Sequence, residues 1–260
     1  MCPTKEPEFF YPDNPGQSTE DYLASFAGRG GEKVVGEAST RYAFQSSIVA
    51  KRIAAFNETA KILITIREPL SFLYSFHTQI TRDPDSFLEL YYDKLRSPER
   101  YSCSYAELIR YKETILNYQR CFGEENVAVE IFDDLKADYA AYFERLFNFL
   151  GVAQIENLKR PESQVVANRS RRKRKGALAS AILAVSQVPP ARAFFRLIQH
   201  FETGKRASTA LRKRVKYQEK RRPPLPKDEA RRLRESFEPC VAELSSFLDR
   251  DLLTDWGYRA

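Results

Sequence analysis

The segment Lys61–His77, KILITIREPLSFLYSFH, decides the fold class. Lys61–Ile66 is short, β-branched and apolar on both faces, the composition of a strand buried in a parallel sheet beneath helices. Arg67-Glu68-Pro69 ends it. Proline suits the first position of a helix, where its missing N–H costs nothing, so Leu70–Thr81 reads as a helix opened by Pro69. The unit is a strand, a tight polar turn and a helix. In open α/β sheets, ligands sit beyond the carboxyl ends of the strands, which is where Arg67 stands. A guanidinium there can pair with a phosphate through two hydrogen bonds, and Ser75, eight residues on, can add a hydroxyl. The residues alone equally allow a structural Arg67 paired to a carboxylate such as Glu68.

Working outward, the same alternation recurs. Lys33–Glu37 (KVVGE) and Val127–Phe132 (VAVEIF) read as further short strands. Helical spacing predicts Thr19–Phe26 with Thr19 as its cap, and Ser46–Phe56 with Ile48, Ile53 and Phe56 on one side. It also predicts Tyr105–Phe122 as one helix, and Tyr139–Leu150 with Phe143, Leu146, Phe147 and Leu150 inward, closed by Gly151. Asn157–Gly176 reads as a polar loop, followed by helices at Ala177–Ala184 and Ala191–Phe201. A last helix runs from Lys227 to about Leu248, with Leu233, Phe237, Val241, Leu244 and Phe247 on one face, and Trp256 and Tyr258 as core anchors. Strands alternating with longer helices give an α/β class with a parallel sheet.

Composition narrows the function classes. The 260 residues are 43% apolar, enough to bury a core and exclude wholesale disorder. Cys2, Cys103, Cys121 and Cys240 form no CxxC pair, and only His77 and His200 are histidines, so a zinc ribbon, a disulfide scaffold and a multi-histidine metal site are all excluded. No stretch approaches the ~18 apolar residues that cross a bilayer, and MCPTKEPEFF carries no signal-peptide pattern, so the chain is expected in the cytoplasm. The net charge of +7 is unevenly placed: Arg169–Arg222 holds 17 basic and 2 acidic residues, and the rest is acidic. Such asymmetry points to an anionic ligand or surface.

The pattern around Arg67 and Ser75 resembles the 3′-phosphate-binding motif of sulfotransferases that use 3′-phosphoadenosine 5′-phosphosulfate, PAPS. Other segments line up in order. Lys5–Phe10 (KEPEFF) resembles the KEPxFF segment of the heparan-sulfate-type and bacterial branch, and Gly36–Tyr42 (GEASTRY) resembles its GExSPxY segment. Val127–Leu135, Phe147–Val152 and Pro223–Trp256 resemble its second-half strand and helices. The resemblance implies a P-loop-kinase-like parallel sheet flanked by helices, in one domain spanning 1–260 with a basic helical segment at about 169–222.

It also implies roles. Glu6 would be the general base, and Lys5 would neutralise the donor or an anionic acceptor. Arg67 and Ser75 would bind the 3′-phosphate, and Arg174-Lys175-Gly176 would close over it, Gly176 allowing close backbone approach. The acceptor hydroxyl or amine, on a carbohydrate by default, would attack sulfur in line, releasing 3′,5′-ADP without a metal. Nucleic acid is not an implied partner. Gln79–Ser104 would shape the acceptor pocket. The residues themselves leave Glu6 open as a solvated loop acid, and the basic run open as a solvated loop or a membrane patch. His77 is a second, weaker base candidate, more simply read as a satisfied buried or surface histidine.

One family part is not in the sequence. The family opens with a strand and a KxGTT-type loop that grips the 5′-phosphosulfate, and Gly28–Gly31 lacks the Lys-Thr pattern and follows KEPEFF. The expectation is a chain lacking its first strand and phosphate loop, with Met1 an internal methionine of a longer frame. Two other classes compete with this reading. A kinase would need GxxxxGK[ST] and a magnesium-binding acid pair, for which Asp133-Asp134 is the nearest candidate. A non-catalytic protein binding acidic polymer or a membrane surface would use the basic segment, with ARAFFRLIQHF at Ala191–Phe201 as an amphipathic contact.

Overall fold

The two strands with the strongest apolar runs form one parallel pair. β1 (Ile62–Ile66) and β2 (Val127–Ile131) pair in register from Ile62 opposite Val127 to Ile66 opposite Ile131. Their carboxyl ends therefore emerge side by side. The computed structural model describes residues 2, 6–12, 14, 17–28, 30–81, 83–92, 104–156, 158, 171–173, 217–219 and 223–259. The chain divides into two compact units, one of Met1–Ser71, Cys103–Gln164 and Ala230–Ala260, the other of Phe72–Ser102 and Val165–Glu229.

The first unit holds the parallel pair and two apolar clusters. Helices α1 (Thr19–Ala24) and α2 (Ser46–Phe56) precede β1, and α3 (Pro69–Thr81) begins directly after its turn. Phe10, Tyr11 and Tyr22 pack with Val49, Ala50 and Ile53 of α2 and with Val127 at the start of β2. The second cluster gathers Ile66 and Ile131, the last residues of both strands, with Ile115, Val241, Leu244, Leu252 and Trp256. Ile64 touches both clusters, so β1 ties them together. Burial of an aliphatic side chain contributes about 1.5–3 kcal/mol, so these clusters fix the strand ends.

Several expectations are corrected. Among the described residues Lys33–Glu37 forms no ladder, and Val34 and Val35 are more than a third exposed. Ser18, not Thr19, caps α1, accepting from the Asp21 amide at 3.0 Å. The buried face of α2 is Ser46, Val49, Ala50 and Ile53, while Ile48 and Phe56 are exposed. The predicted Tyr105–Phe122 helix is two helices, α5 (Tyr105–Leu108) and α6 (Tyr111–Phe122). A complete capping box between Ser104 and Glu107 stabilises the short α5, whose frame does not continue through Arg110. β1 is covered on one face only, because Leu63 is 41% exposed.

Past β2 come α7 (Phe132–Ala137) and α8 (Tyr139–Leu150), the latter ended by Gly151 in the left-handed conformation that glycine adopts without strain. Tyr142 is the buried residue of α8; its predicted inward residues are half-buried. The long helix that closes the fold, Lys227–Phe247, buries Leu233, Phe237, Val241 and Leu244 at helical spacing, as its periodicity predicts. Asp134 then takes a two-bond contact from Arg250 at 2.6 and 2.8 Å, pinning the C-terminal turn to α7. Those hydrogen bonds hold the Asp134 carboxyl below the usual carboxylate range. With Asp133 bonded to Lys136 at 2.5 Å, both acids of the kinase-type pair are committed to cations of the protein.

In the second unit, Tyr74 and His77 of α3 pack on Phe87 at the start of α4 (Phe87–Tyr92), and Leu73 is buried. Within the expected basic segment at about 169–222, the described residues are two short strands. β3 (Arg171–Lys173) and β4 (Tyr217–Glu219) pair antiparallel, Arg171 opposite Glu219. The helices predicted at 177–184 and 191–201 lie outside the described residues, as does most of the predicted loop at 157–176.

Candidate functional site

The carboxyl edge of the parallel pair is built by register. Ile66 and Ile131 are opposed, so Arg67 and Phe132 are the next residues on neighbouring strands. The Arg67 guanidinium carbon lies 5.3 Å from the centre of the Phe132 ring. It makes no ion pair with Glu68. Buried Glu68 instead accepts the amides of Leu70 at 3.1 Å and Ser71 at 2.7 Å, and the Tyr258 hydroxyl at 3.0 Å. A carboxylate at a helix N-terminus satisfies orphan amides and meets the positive end of the macrodipole. The amides that could have held a ligand anion are thus occupied from within, and Arg67 is left half-buried as the cation of this edge. Burial first, then the Glu68 charge, holds the Tyr258 phenol protonated far above its ordinary range. Arg234 approaches Glu68 from the closing helix, Nε to Oε1 3.8 Å.

A second cluster joins two sequence segments that resembled family motifs. Glu37 of GEASTRY accepts the hydroxyls of Tyr22 at 3.2 Å, Ser39 at 2.6 Å and Tyr42 at 2.7 Å. Tyr42 in turn accepts the Phe10 amide of KEPEFF at 3.2 Å, and Ser39 accepts the Glu8 amide at 3.1 Å. Arg41 donates to Glu8 at 2.8 Å and lies 3.7 Å over the Tyr11 ring. Burial, then Glu37, pushes the Tyr42 and Tyr22 phenols up, so both remain donors.

The proposed site residues fall as follows. Glu6 is half-buried in the loop just described, and Arg67 is at the β1 edge, both in the first unit. Ser75 is half-buried on α3, in the second unit. Lys5, Arg174, Lys175 and Gly176 lie outside the described residues, as do residues 93–103 of the expected acceptor region. Among the described residues, no group of three or more His, Cys, Asp or Glu side chains could hold a metal ion. Nor is any described helix long and apolar enough to cross a membrane. Cys2, Cys121 and Cys240 are free thiols.

His77 is unsuited to base work. Its ring is fully buried, with Nε2 2.7 Å from the Asp83 carbonyl oxygen. Burial pushes its pKa down, against the Asp83 contact that raises it. A histidine neutral when folded takes up a proton on unfolding once the pH drops below its ordinary value of about 6.5. Its stabilising effect is full above that value and is lost as pH falls toward the folded-state pKa. Urea unfolding between pH 7.5 and 5 is expected to show stability falling with acid by up to about 1.4 kcal/mol per pH unit from this group. His77→Gln should remove that part of the slope; an unchanged slope would show that folding does not lower the pKa of His77.

Sequence reasoning missed Arg41, Glu8, Tyr11 and the Glu68 cap. Arg41 and Glu8 are 33 residues apart in irregular chain, where no periodicity reports a pairing. The strain in the KEPEFF loop was legible only in structure: Glu6 and Glu8 have φ of 52° and 53°, on either side of Pro7.

No protein-family model matches the chain, and no curated protein sequence does. The architecture is a helix-dominated α/β fold around a small parallel sheet. In that fold the chain is similar to a solved sulfotransferase from Alicyclobacillus acidocaldarius, with a TM-score of 0.66 and 22% identity, over 98% of this chain and 87% of that one.

Proposed function

We propose that this chain is a sulfotransferase that moves a sulfuryl group from PAPS to a hydroxyl or amine acceptor, with carbohydrate the first class to test. The observation that carries the reading is Arg67: a cation at the carboxyl edge of β1, with no ion pair among the described residues, whose neighbouring carboxylate is spent on helix α3 and Tyr258. The likeness in fold to a solved sulfotransferase supports it. In the reading, Arg67 and Ser75 hold the 3′-phosphate, with Lys5, Arg174, Lys175 and Gly176 as further donor contacts. Glu6 takes the proton from the acceptor. The acceptor's oxygen or nitrogen bonds to sulfur as the bond from sulfur to the bridging oxygen breaks, and 3′,5′-ADP leaves with that electron pair. No metal is required for this displacement.

The 5′-phosphosulfate end calls for a glycine-rich anion loop, which the 260 residues do not contain. The test uses the 260-residue chain. At 100 times its dissociation constant, 3′,5′-ADP stabilises by about 2.7 kcal/mol, a rise in melting temperature of roughly 5–10 °C. Arg67→Ala is expected to abolish the rise, and adenosine 5′-monophosphate to give little. No shift would overturn the reading. Heparin or anionic-vesicle binding with no nucleotide shift would favour a non-catalytic protein working through the basic segment.

A further inference from the structure

Glu6 and Glu8 both sit in the left-handed region, at φ 52° and 53°. For a residue with a β-carbon this costs roughly 1–2 kcal/mol. Glu6 also precedes Pro7, which biases it toward extended backbone. Such strain persists only where surrounding bonds over-determine it, and it gathers at functional sites.

Those bonds are specific. Arg41, its side chain only 15% exposed, donates to the Glu8 carboxylate at 2.8 Å. Its guanidinium lies 3.7 Å over Tyr11, which is 1% exposed in the apolar cluster. The Tyr11 amide returns to the Glu8 carbonyl at 3.0 Å. Asn14 donates from Nδ2 to the carbonyls of Pro7 at 3.2 Å and Glu8 at 3.0 Å. These bonds fall on Pro7, Glu8 and Tyr11, so the frame stands whatever the Glu6 carboxylate engages.

We propose that Arg41 is a positioning residue: its ion pair with Glu8 and its stack on Tyr11 lock the left-handed Glu6-Pro7-Glu8 turn and so aim the Glu6 carboxylate. The inference rests on the reading of Glu6 as the base. It separates two nearby acids by role, Glu8 as an anchor and Glu6 as the group presented. Lysine does not replace Arg41, because it lacks the planar face that lies over Tyr11.

The test has two readouts. Hydrogen exchange at the Glu8, Phe10 and Tyr11 amides of the 260-residue chain needs no turnover. Arg41→Ala and Glu8→Gln are expected to speed it at least about tenfold, and Arg41→Lys to restore little of the protection. Unchanged exchange in Arg41→Ala, at an unchanged melting temperature, overturns the lock. In the same chain, with PAPS and desulfated heparan oligosaccharides, Arg41→Ala is expected to lower kcat by about 10²-fold while the KM for PAPS stays within about twofold. Arg41→Lys should recover little of that loss. A kcat unchanged in Arg41→Ala overturns the positioning role. If the wild type transfers no sulfuryl group, the sulfotransferase reading falls, and the exchange result still decides the lock.

Discussion

Glu6→Gln is expected to lower the rate of sulfuryl transfer by about 10²–10⁴-fold, the range that a positioned general base contributes. The substitution keeps the volume of the side chain and the left-handed backbone demand of the position. It removes the negative charge and with it the capacity to accept a proton. The Arg41–Glu8 pair and the Glu37 hydrogen bonds do not involve the side chain of residue 6, so the loop should keep its shape. Arg67 is likewise untouched, so 3′,5′-ADP should raise the melting temperature of the variant as it does the wild type. Single-turnover transfer from PAPS, measured beside that shift, separates chemistry from donor binding. A loss of less than tenfold would assign the base elsewhere.

Leu244→Ala is expected to destabilise the first unit by about 3–4 kcal/mol, from lost burial and the cavity left behind. Leu244 is 1% exposed, packed among Ile66, Ile131, Val241 and Trp256. Against a typical net stability of about 5–15 kcal/mol, that is a large share, and should lower the melting temperature by roughly 6–15 °C. The cluster ends both strands just before Arg67 and Phe132, so 3′,5′-ADP affinity should weaken with it. Ile155→Ala is the control: Ile155 is 56% exposed, and its loss should fall within about 0.5 kcal/mol. Equal effects of the two would mean that the strand ends do not depend on this cluster.

What sequence could show depended on how local the signal was. β1, α2, α8 and the closing helix were legible because an apolar period ran between clear punctuation, such as Pro69 before α3 and Gly151 after α8. The valines of Lys33–Glu37 looked like a strand, but composition cannot supply a neighbouring strand, and among the described residues none pairs with them. Ile48 and Phe56 shared a stripe with Ile53, yet the core took the adjacent stripe of Val49 and Ala50. The site divides in the same way. Arg67 was placed by its position after a strand. Whether Glu68, one residue on, pairs with it is open from sequence, because the pull of two helix amides and of Tyr258, 190 residues away, has no trace in local pattern.

The Glu68 cap has a consequence for selectivity. An anion cradled by backbone amides is read largely by shape, so phosphate and sulfate esters compete closely there. At the β1 edge two of those amides already hold a carboxylate, so on the proposed reading recognition would fall to the Arg67 side chain. Such a site ranks ligands by charge. On the proposed reading it favours a doubly ionised phosphate monoester over a singly charged sulfate ester, and its grip loosens as the phosphate takes up its second proton near pH 6. The nucleotide's own ionisation, and not that of any protein group, would then set the acid limit of donor binding.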